Sequence, residues 1–160
     1  MQKKECKTNA MRILEKQKIP YTCQIYECEE FISGVVTADQ NQLPHEQVYK
    51  TLVTRGKSGE YYVFVIPVEK ELDLKKAAKS VREKSVEMLP MKDITKVTGY
   101  VRGGCTAIGM KKKFQTVIDQ SAASLESIYI SGGKIGMQLK LAPQDLLCAA
   151  DAVWEDVVVS

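Results

Sequence analysis

The spacing of apolar side chains changes along the chain, and each change predicts a different element. Between residues 8 and 18 apolar positions recur at the 3.6-residue period of a helix, which Thr8 or Asn9 can cap and Pro20 ends. From Tyr21 to Ile25 apolar and polar residues alternate, so a short, half-buried strand is expected there. The polar segment 34–42 fits a short helix or a loop.

The clearest prediction is a β-hairpin in the first half of the chain. Residues 48–54 alternate between apolar and polar, and Arg55–Gly59 has the composition of a turn. The following run, Tyr61–Val68, is apolar without interruption, as in strands that are buried on both faces. The two runs and the turn therefore predict a hairpin whose second strand lies in the core.

The second half of the chain mixes helices and strands. An amphipathic helix over 72–81 can be capped by Asp73, and a shorter helix includes 93–97. Strand-like runs at 127–130 and 135–141 flank the turn Ser131–Lys134, a last helix runs from Pro143 to about residue 150, and residues 154–159 form an edge strand or a tail. With no repeat and no linker, this order predicts one mixed α/β domain over residues 1–160.

Composition narrows the class of protein. The chain has 160 residues, 44% of them hydrophobic and 27% charged, which suits a single globular domain. We expect a cytoplasmic protein without a membrane partner, because the longest apolar run is far below the ~20 residues of a membrane span and no signal segment is visible. Five scattered cysteines without a Cys-x-x-Cys pair argue against disulfides and a thiolate metal site.

One histidine, His45, excludes a site built from several histidines of one chain. His45 lies in a polar stretch before a strand, which makes it a weak candidate for a catalytic triad. We therefore expect no metal and no cofactor, and chemistry that rests on lysine, carboxylates, hydroxyls, backbone amides or the substrate itself.

Charge is distributed unevenly. Residues 70–113 carry twelve basic and five acidic side chains, a net +7, whereas residues 114–160 carry two and six, a net −4. The lysines of the predicted helix 72–81 and the run Lys111–Lys113 fit a surface that faces a polyanion such as RNA. The alternative is a solvated helix face, since no arginine-rich or aromatic RNA-binding motif accompanies these lysines.

Two features carry candidate chemistry. Lys50 interrupts an apolar strand on the face that it shares with Val48 and Leu52, so it either meets an anion or a carbonyl there or extends to solvent from an edge strand. The segment Gly103–Gly109 presents consecutive backbone amides that could bind an oxyanion or a phosphate, although a plain tight turn is the commoner explanation of two glycines. Cys105, inside this segment, has no histidine nearby to activate it as a nucleophile.

Seven segments, taken in order, resemble the YbaK/EbsC family, and together they span nearly the whole chain. They are Lys7–Arg12, Val48–Val53, Leu72–Lys79, Thr98–Tyr100, Gly103–Gly109, Ser131–Gly133 and Ala142–Leu146. Members of this family are free-standing editing proteins related to the insertion domain of bacterial prolyl-tRNA synthetase. The resemblance implies a barrel-like mixed sheet surrounded by helices, and the activity of a Cys-tRNA(Pro) deacylase.

The resemblance also implies roles for particular residues. Lys50 occupies the position of the family's essential lysine, which would hold the terminal nucleotide or polarise the ester. Substrate contacts would come from pocket side chains, hydroxyls and the glycine-rich loop: Tyr26, Phe31, Thr51, Gly103, Gly104, Cys105, Ser131 and Gly132. The implied nucleophile is the thiol of the substrate's own cysteine, and the implied partners are a mischarged tRNA and prolyl-tRNA synthetase, not DNA.

One position departs from the family pattern. Ala107 stands where the loop Gly-Gly-x-Ser/Thr-Pro-x-Gly has proline, so the backbone there is less restricted. Three alternatives remain at this level: removal of cysteine from tRNA(Pro) or tRNA(Cys), removal of another amino acid such as alanine from tRNA(Pro), and a protein that binds a nucleotide or an RNA end without catalysis.

Overall fold

A computed structural model describes residues 7–25, 44–101 and 104–160. Four α-helices lie in these ranges: α1 (Asn9–Lys16), α2 (Leu74–Ser80), α3 (Ile94–Thr98) and α4 (Pro143–Ala149). The strands are β1 (Thr22–Ile25), β2 (Tyr49–Gly56), β3 (Tyr61–Pro67), β4 (Val86–Met88), β5 (Gln115–Asp119), β6 (Ile128–Ser131), β7 (Met137–Leu141) and β8 (Ala152–Glu155). Short 3₁₀ turns occupy His45–Gln47, Met91–Asp93 and Gln120–Ser124.

The strands form two sheets that adjoin along β2 and β6. The larger sheet has the order β4-β2-β3-β5-β8, with β2 antiparallel to β3 and β4, and with β5 parallel to both β3 and β8. The smaller sheet, β1-β7-β6, is antiparallel throughout. A parallel bridge between Val48 and Tyr129 joins the two sheets. The predicted mixed α/β class with a barrel-like arrangement is confirmed, although the two sheets do not close into a barrel.

The hairpin prediction is confirmed. β2 and β3 pair from Tyr49↔Pro67 to Arg55↔Tyr61, and every residue of β3 after Tyr61 is buried. Side chains on the two faces of β3 enter different parts of the core: Val65 packs with α1, β6 and β7, whereas Phe64 and Ile66 pack with α2. Burial on both faces explains why this strand is apolar at consecutive positions.

The predicted helix ends have identifiable causes. The Thr8 hydroxyl accepts a hydrogen bond from the Met11 amide, and the chain leaves α1 at Lys18, where φ is +60°. The Asp73 carboxylate accepts bonds from the amides of Lys75 and Lys76 at the start of α2. Side-chain caps of this kind stabilise a helix by about 1 kcal/mol each.

Two strands, β4 and β5, were not predicted from the sequence. β5 is an interior strand of the larger sheet, yet only Val117 and Ile118 are apolar in it, and the lysines of 111–113 precede it. β4 has three residues, too few for a periodic signal. Residues 152–155 form an edge strand, and after them Val157 is buried and Val158 bridges Leu72. The segment 34–42 lies outside the described residues. Among the helices that are described, none is long and apolar enough to cross a membrane.

Candidate functional site

Lys50 lies near the start of β2 with its side chain half buried. Alternation along the strand places it on the same face as Val48, which packs with Val68 and Tyr129. Burial lowers the pKa of the Lys50 ammonium, and the Glu71 carboxylate partly opposes that effect. Within the described ranges no hydrogen bond or salt bridge holds this ammonium. A desolvated cation without a partner is costly, and it is well placed to receive an anion or a polarised carbonyl.

The smaller sheet turns one polar face toward the same side. Cross-strand register places six residues on this surface, which we call the polar face: Thr22, Gln24, Tyr129, Ser131, Gln138 and Lys140. The opposite face is apolar, and Ile130 and Leu139 belong there to the main core. A core-facing apolar side and a polar side are the usual pattern of an antiparallel sheet that is partly open to solvent.

Two polar atoms of this face are shielded from solvent without a hydrogen-bond partner. They are the hydroxyl oxygen of Ser131 and the side-chain amide oxygen of Gln138, directly opposite each other on β6 and β7, and neither has a partner in the structure as described. Gln138 is 7% exposed. Buried polar atoms are nearly always paired in folded proteins, so an unpaired set on one surface indicates a ligand site.

The bridge between the sheets brings Lys50 to this surface. Val48 and Tyr129 are paired in parallel, and Lys50 and Ser131 each lie two residues further along their strands in the same direction. The side chains of Lys50 and Ser131 therefore point to the same face as those of Val48 and Tyr129. The structure thus groups Lys50, Ser131 and Gln138 at one edge of the polar face.

The glycine-rich loop packs against the turn that follows β6. A Cβ on Gly104 would lie 2.9 Å from Cα of Lys134 and 3.0 Å from its carbonyl carbon, so only glycine fits against this backbone. From the other side, the Thr8 hydroxyl donates to the Gly132 carbonyl over 2.6 Å. The loop, the turn after Ser131 and the start of α1 therefore form one contiguous structure.

The loop is fixed by side chains although it lacks the family proline. The Tyr100 hydroxyl donates to the Ile108 carbonyl over 2.6 Å, and the Asn9 amide donates to the Gly109 carbonyl over 2.8 Å. Gly109 has φ +76°, and a Cβ there would lie within 3.0 Å of Asn9, Ile13 and Tyr100. These contacts restrain the backbone at Ile108 and Gly109, the two residues that follow Ala107 in the loop.

Cys105 lies in this loop in a form unsuited to nucleophilic attack. Burial raises the pKa of its thiol to about 11, although a side-chain hydrogen bond with Thr98 lowers it in part. At neutral pH the thiol is protonated, whereas the nucleophilic form of cysteine is the thiolate. The loop's Thr106 hydroxyl is also buried without a hydrogen-bond partner in the part of the chain that is described.

The remaining expected site residues are placed as follows. Thr51 is half buried and points to the opposite face of β2 from Lys50, because neighbours along a strand alternate. Gly132 is buried against Met137 and Leu139. Tyr26, Phe31 and Gly103 lie outside the described residues. His45 begins a 3₁₀ turn, with its Nδ1 3.3 Å from a Glu69 oxygen.

Sequence reasoning missed Gln138. Within the alternating run Met137–Leu141 it is a polar residue on the side expected to face solvent, and nothing local distinguishes it from Lys140. Its significance follows from the pairing with Ser131, which needs the register of β6 against β7.

Comparison with known proteins identifies the family. Residues 33–148 match the family described as the aminoacyl-tRNA editing domain. The chain belongs to the aminoacyl-tRNA editing domain family. This editing-domain chain is 42% identical over 158 residues to EbsC of Enterococcus faecalis, a proposed Cys-tRNA(Pro)/Cys-tRNA(Cys) deacylase, and the match covers 97% of this chain and 95% of EbsC. The resemblance to the YbaK/EbsC family is therefore confirmed.

Solved structures share the fold of this editing domain. A protein described only as hypothetical superposes with a TM-score of 0.85 at 22% identity, covering 95% of this chain and 100% of its own. A proposed trans-editing enzyme for prolyl-tRNA synthetase superposes with a TM-score of 0.81 at 20% identity, covering 98% and 100%. At these identities the likeness supports the fold.

Proposed function

We propose that this editing domain is a deacylase that removes cysteine from mischarged tRNA(Pro), and also from tRNA(Cys), in trans. The observation that carries the proposal is the Lys50 ammonium on the same surface as the Ser131 hydroxyl and the Gln138 amide oxygen, all three without a hydrogen-bond partner among the described residues. Membership of the editing-domain family and the 42% identity to EbsC point to the same substrate class.

The proposed reaction uses the thiol of the esterified cysteine as its nucleophile. The substrate sulfur attacks its own carbonyl carbon, the bond from that carbon to the 3′ oxygen of the tRNA breaks, and the thiol proton passes to that oxygen. The products are a tRNA with a free 3′ hydroxyl and a four-membered cysteine thiolactone, which water opens to cysteine. An oriented intramolecular nucleophile can lower a barrier by about 7–11 kcal/mol.

Such a reaction asks the protein to bind and orient the substrate and to stabilise charge. In this proposal the Lys50 cation lies against the ester carbonyl oxygen or the terminal nucleotide, where negative charge develops. The Ser131 hydroxyl and the Gln138 oxygen hold the terminal ribose or the α-ammonium group. Backbone amides of the glycine-rich loop at Gly104 and Cys105, together with Gly132, are proposed to complete the surroundings. Thr51 receives no role in this proposal, because its side chain lies on the opposite face of β2 from Lys50, and the contributions expected from Tyr26, Phe31 and Gly103 stay predictions.

Specificity then follows from substrate chemistry. Alanyl and prolyl esters carry no thiol, so neither can react by this route even when it is bound. The raised thiol pKa of Cys105 agrees with a nucleophile that the substrate brings rather than the protein.

The test is amino acid release from Cys-tRNA(Pro), Cys-tRNA(Cys), Ala-tRNA(Pro) and Pro-tRNA(Pro), with wild type and Lys50→Ala side by side. We expect wild type to release cysteine selectively and Lys50→Ala to lose at least a hundredfold in kcat/KM while keeping its circular dichroism spectrum. S-methylation of the esterified cysteine should abolish release by wild type. Release that survives S-methylation would exclude the thiol as nucleophile.

Further parts of the proposal concern organisation and partners. We propose that residues 1–160 act as a single editing domain in the cytoplasm and that prolyl-tRNA synthetase supplies tRNA selectivity. The structural likeness to a proposed trans-editing enzyme for that synthetase supports this partner. A pull-down that recovers neither the synthetase nor tRNA would contradict it.

A further inference from the structure

A cavity adjoins the glycine-rich loop, and Ala107 and Gly109 of that loop belong to its lining. Its volume is ≈ 520 Å³, and it lies between α1, the segment 107–116 and the end of α4. Ile13, Met110 and Phe114 supply apolar walls, while Lys16, Lys112 and Lys113 supply cations at its rim. We call it the lysine cavity.

Two of the three lysines are available to an anion. Lys113 forms a 3.1 Å ion pair with Asp151, and both side chains are 74% exposed, so solvent screens this pair. Lys16 and Lys112 are exposed, and among the described residues neither has a hydrogen bond or ion pair. The cavity therefore combines a net positive rim with an apolar wall that includes an aromatic ring.

This combination matches the chemistry of a single-stranded nucleotide. Base stacking on an aromatic side chain and lysine contacts to phosphate are the two elements of sequence-tolerant binding to single strands. Phe114 is half buried, with its ring held edge-to-face against Tyr61 at a centroid distance of 5.7 Å. A ring fixed in this way is a rigid wall for a base.

The cavity also lies within reach of the proposed active site. Helix α1 connects the two, because Thr8 bonds the Gly132 carbonyl and Lys16 lies eight residues further along. At 1.5 Å per residue the separation along the helix is about 12 Å. Gly109 lines the cavity and belongs to the same loop as Gly104. This distance counts only the component along α1. Because α1 packs on the apolar face of the smaller sheet, an RNA whose 3′ end lies on the polar face passes around the glycine-rich loop before it reaches the lysine cavity.

We propose that the lysine cavity binds an unpaired nucleotide of the tRNA acceptor end, upstream of the aminoacylated adenosine, with its phosphate at Lys16 and Lys112 and its base against Phe114. The proposal rests on the proposed function for the position of the 3′ end. From sequence alone, the lysines of α2 and the run Lys111–Lys113 are equally good candidates for RNA binding. The proposal distinguishes them, since Lys75 and Lys79 of α2 line no part of this cavity.

Binding of uncharged RNA tests the cavity without requiring catalysis. The probe is a 5′-labelled acceptor-stem RNA that ends in an unpaired CCA, titrated by fluorescence anisotropy. Lys16→Ala/Lys112→Ala should raise Kd at least tenfold and reduce the dependence of log K on log salt by about 1.4, as expected for two single-strand phosphates. The matched control, Lys75→Ala/Lys79→Ala, removes the same charge and should change Kd less than twofold.

A kinetic comparison places the cavity relative to the ester. The ratio of kcat/KM for cysteinyl acceptor-stem RNA to that for the cysteinyl ester of adenosine should fall at least tenfold in Lys16→Ala/Lys112→Ala, through KM. The control variant Lys75→Ala/Lys79→Ala should keep the wild-type ratio. An equal fall of the ratio in both double variants would mean that positive charge acts over a long range rather than at the cavity, and would overturn the proposal.

Unchanged RNA binding by Lys16→Ala/Lys112→Ala would also overturn the proposal. The ligand suited to the lysine cavity would then be an acidic protein segment. If wild type deacylates neither ester while RNA binding still depends on Lys16 and Lys112, the proposed function fails and the nucleotide site stands.

Discussion

At the scale of single residues, the burial of Lys50 predicts a pH dependence. Burial lowers the pKa of the ammonium below its ordinary value near 10.4, so the charged form is lost at a lower pH than for an exposed lysine. Ionisation of the substrate thiol, with an ordinary pKa of about 8.5, increases the rate as pH rises. We therefore expect kcat/KM, corrected for spontaneous ester hydrolysis, to rise and then fall as Lys50 deprotonates.

The variant Lys50→Arg identifies the falling limb. Arginine stays charged above pH 12, so any residual activity of this variant should keep rising where wild-type activity declines. If activity declines at the same pH in wild type and in Lys50→Arg, a group other than Lys50 causes the decline.

Thermal unfolding of Lys50→Met provides the fold control. This variant should be at least as stable as wild type at pH 7, because the folded protein no longer buries a charge, and the difference should shrink as rising pH neutralises Lys50 in wild type.

Gln138 gives a second prediction at this scale. Gln138→Met keeps the volume of the side chain and removes a buried oxygen that has no hydrogen-bond partner within the described ranges, so stability should be unchanged or higher. If the oxygen serves the substrate, kcat/KM should fall about tenfold, which corresponds to about 1.4 kcal/mol. Gln24→Met changes the neighbouring, exposed residue of the same face and should leave both quantities unchanged. Equal activity of the two variants would remove Gln138 from the site.

At the scale of elements, Tyr100 fixes the glycine-rich loop from outside it. Tyr100→Phe removes the donor to the Ile108 carbonyl, and that buried carbonyl then costs about 1–3 kcal/mol of folding free energy. Because the loop carries Gly104, deacylation should fall as well. Chemical denaturation and steady-state kinetics measure the two effects. Tyr61→Phe is the control, and its expected change is within 0.5 kcal/mol. Wild-type stability in Tyr100→Phe would show that the loop does not depend on this bond.

The elements also show what local sequence could and could not predict. The hairpin of β2 and β3 and the capped helices follow from periodicity and capping residues, and all are present. β5 could not be predicted, because its place between β3 and β8 comes from tertiary pairing rather than from its two apolar residues. The same limit applies to the site. Lys50 stands out as a charge in an apolar strand, whereas Gln138 acquires meaning only through its register with Ser131.

At the scale of the whole molecule, a β-bridge beside the site joins the two sheets. Val48 and Tyr129 are 81 positions apart in sequence, and their pairing sets Lys50 next to Ser131. No short-range pattern encodes such a contact, since it depends on how both sheets pack against a shared core. A family resemblance could suggest Lys50 and Ser131 as site residues, but only the fold shows that their side chains point to the same surface.

The C-terminal segment closes the larger sheet and should matter to the stability of the whole domain. Val157 is fully buried beside Phe64 and Val117, and its amide donates to the buried Asp119 carboxylate over 3.1 Å. Val157→Ala should therefore cost about 2 kcal/mol, from lost apolar burial and the cavity left behind. Val159→Ala is the matched control, because Val159 is 46% exposed in the same segment and should change stability by less than 0.5 kcal/mol.

Urea denaturation of both variants measures the difference. Deacylation per folded molecule should be unchanged in Val157→Ala, since the segment packs against α2 and β5 rather than against the polar face. Equal stability of the two variants would mean that the segment after β8 is not part of the cooperative core. The cooperative part of the larger sheet would then end at β8.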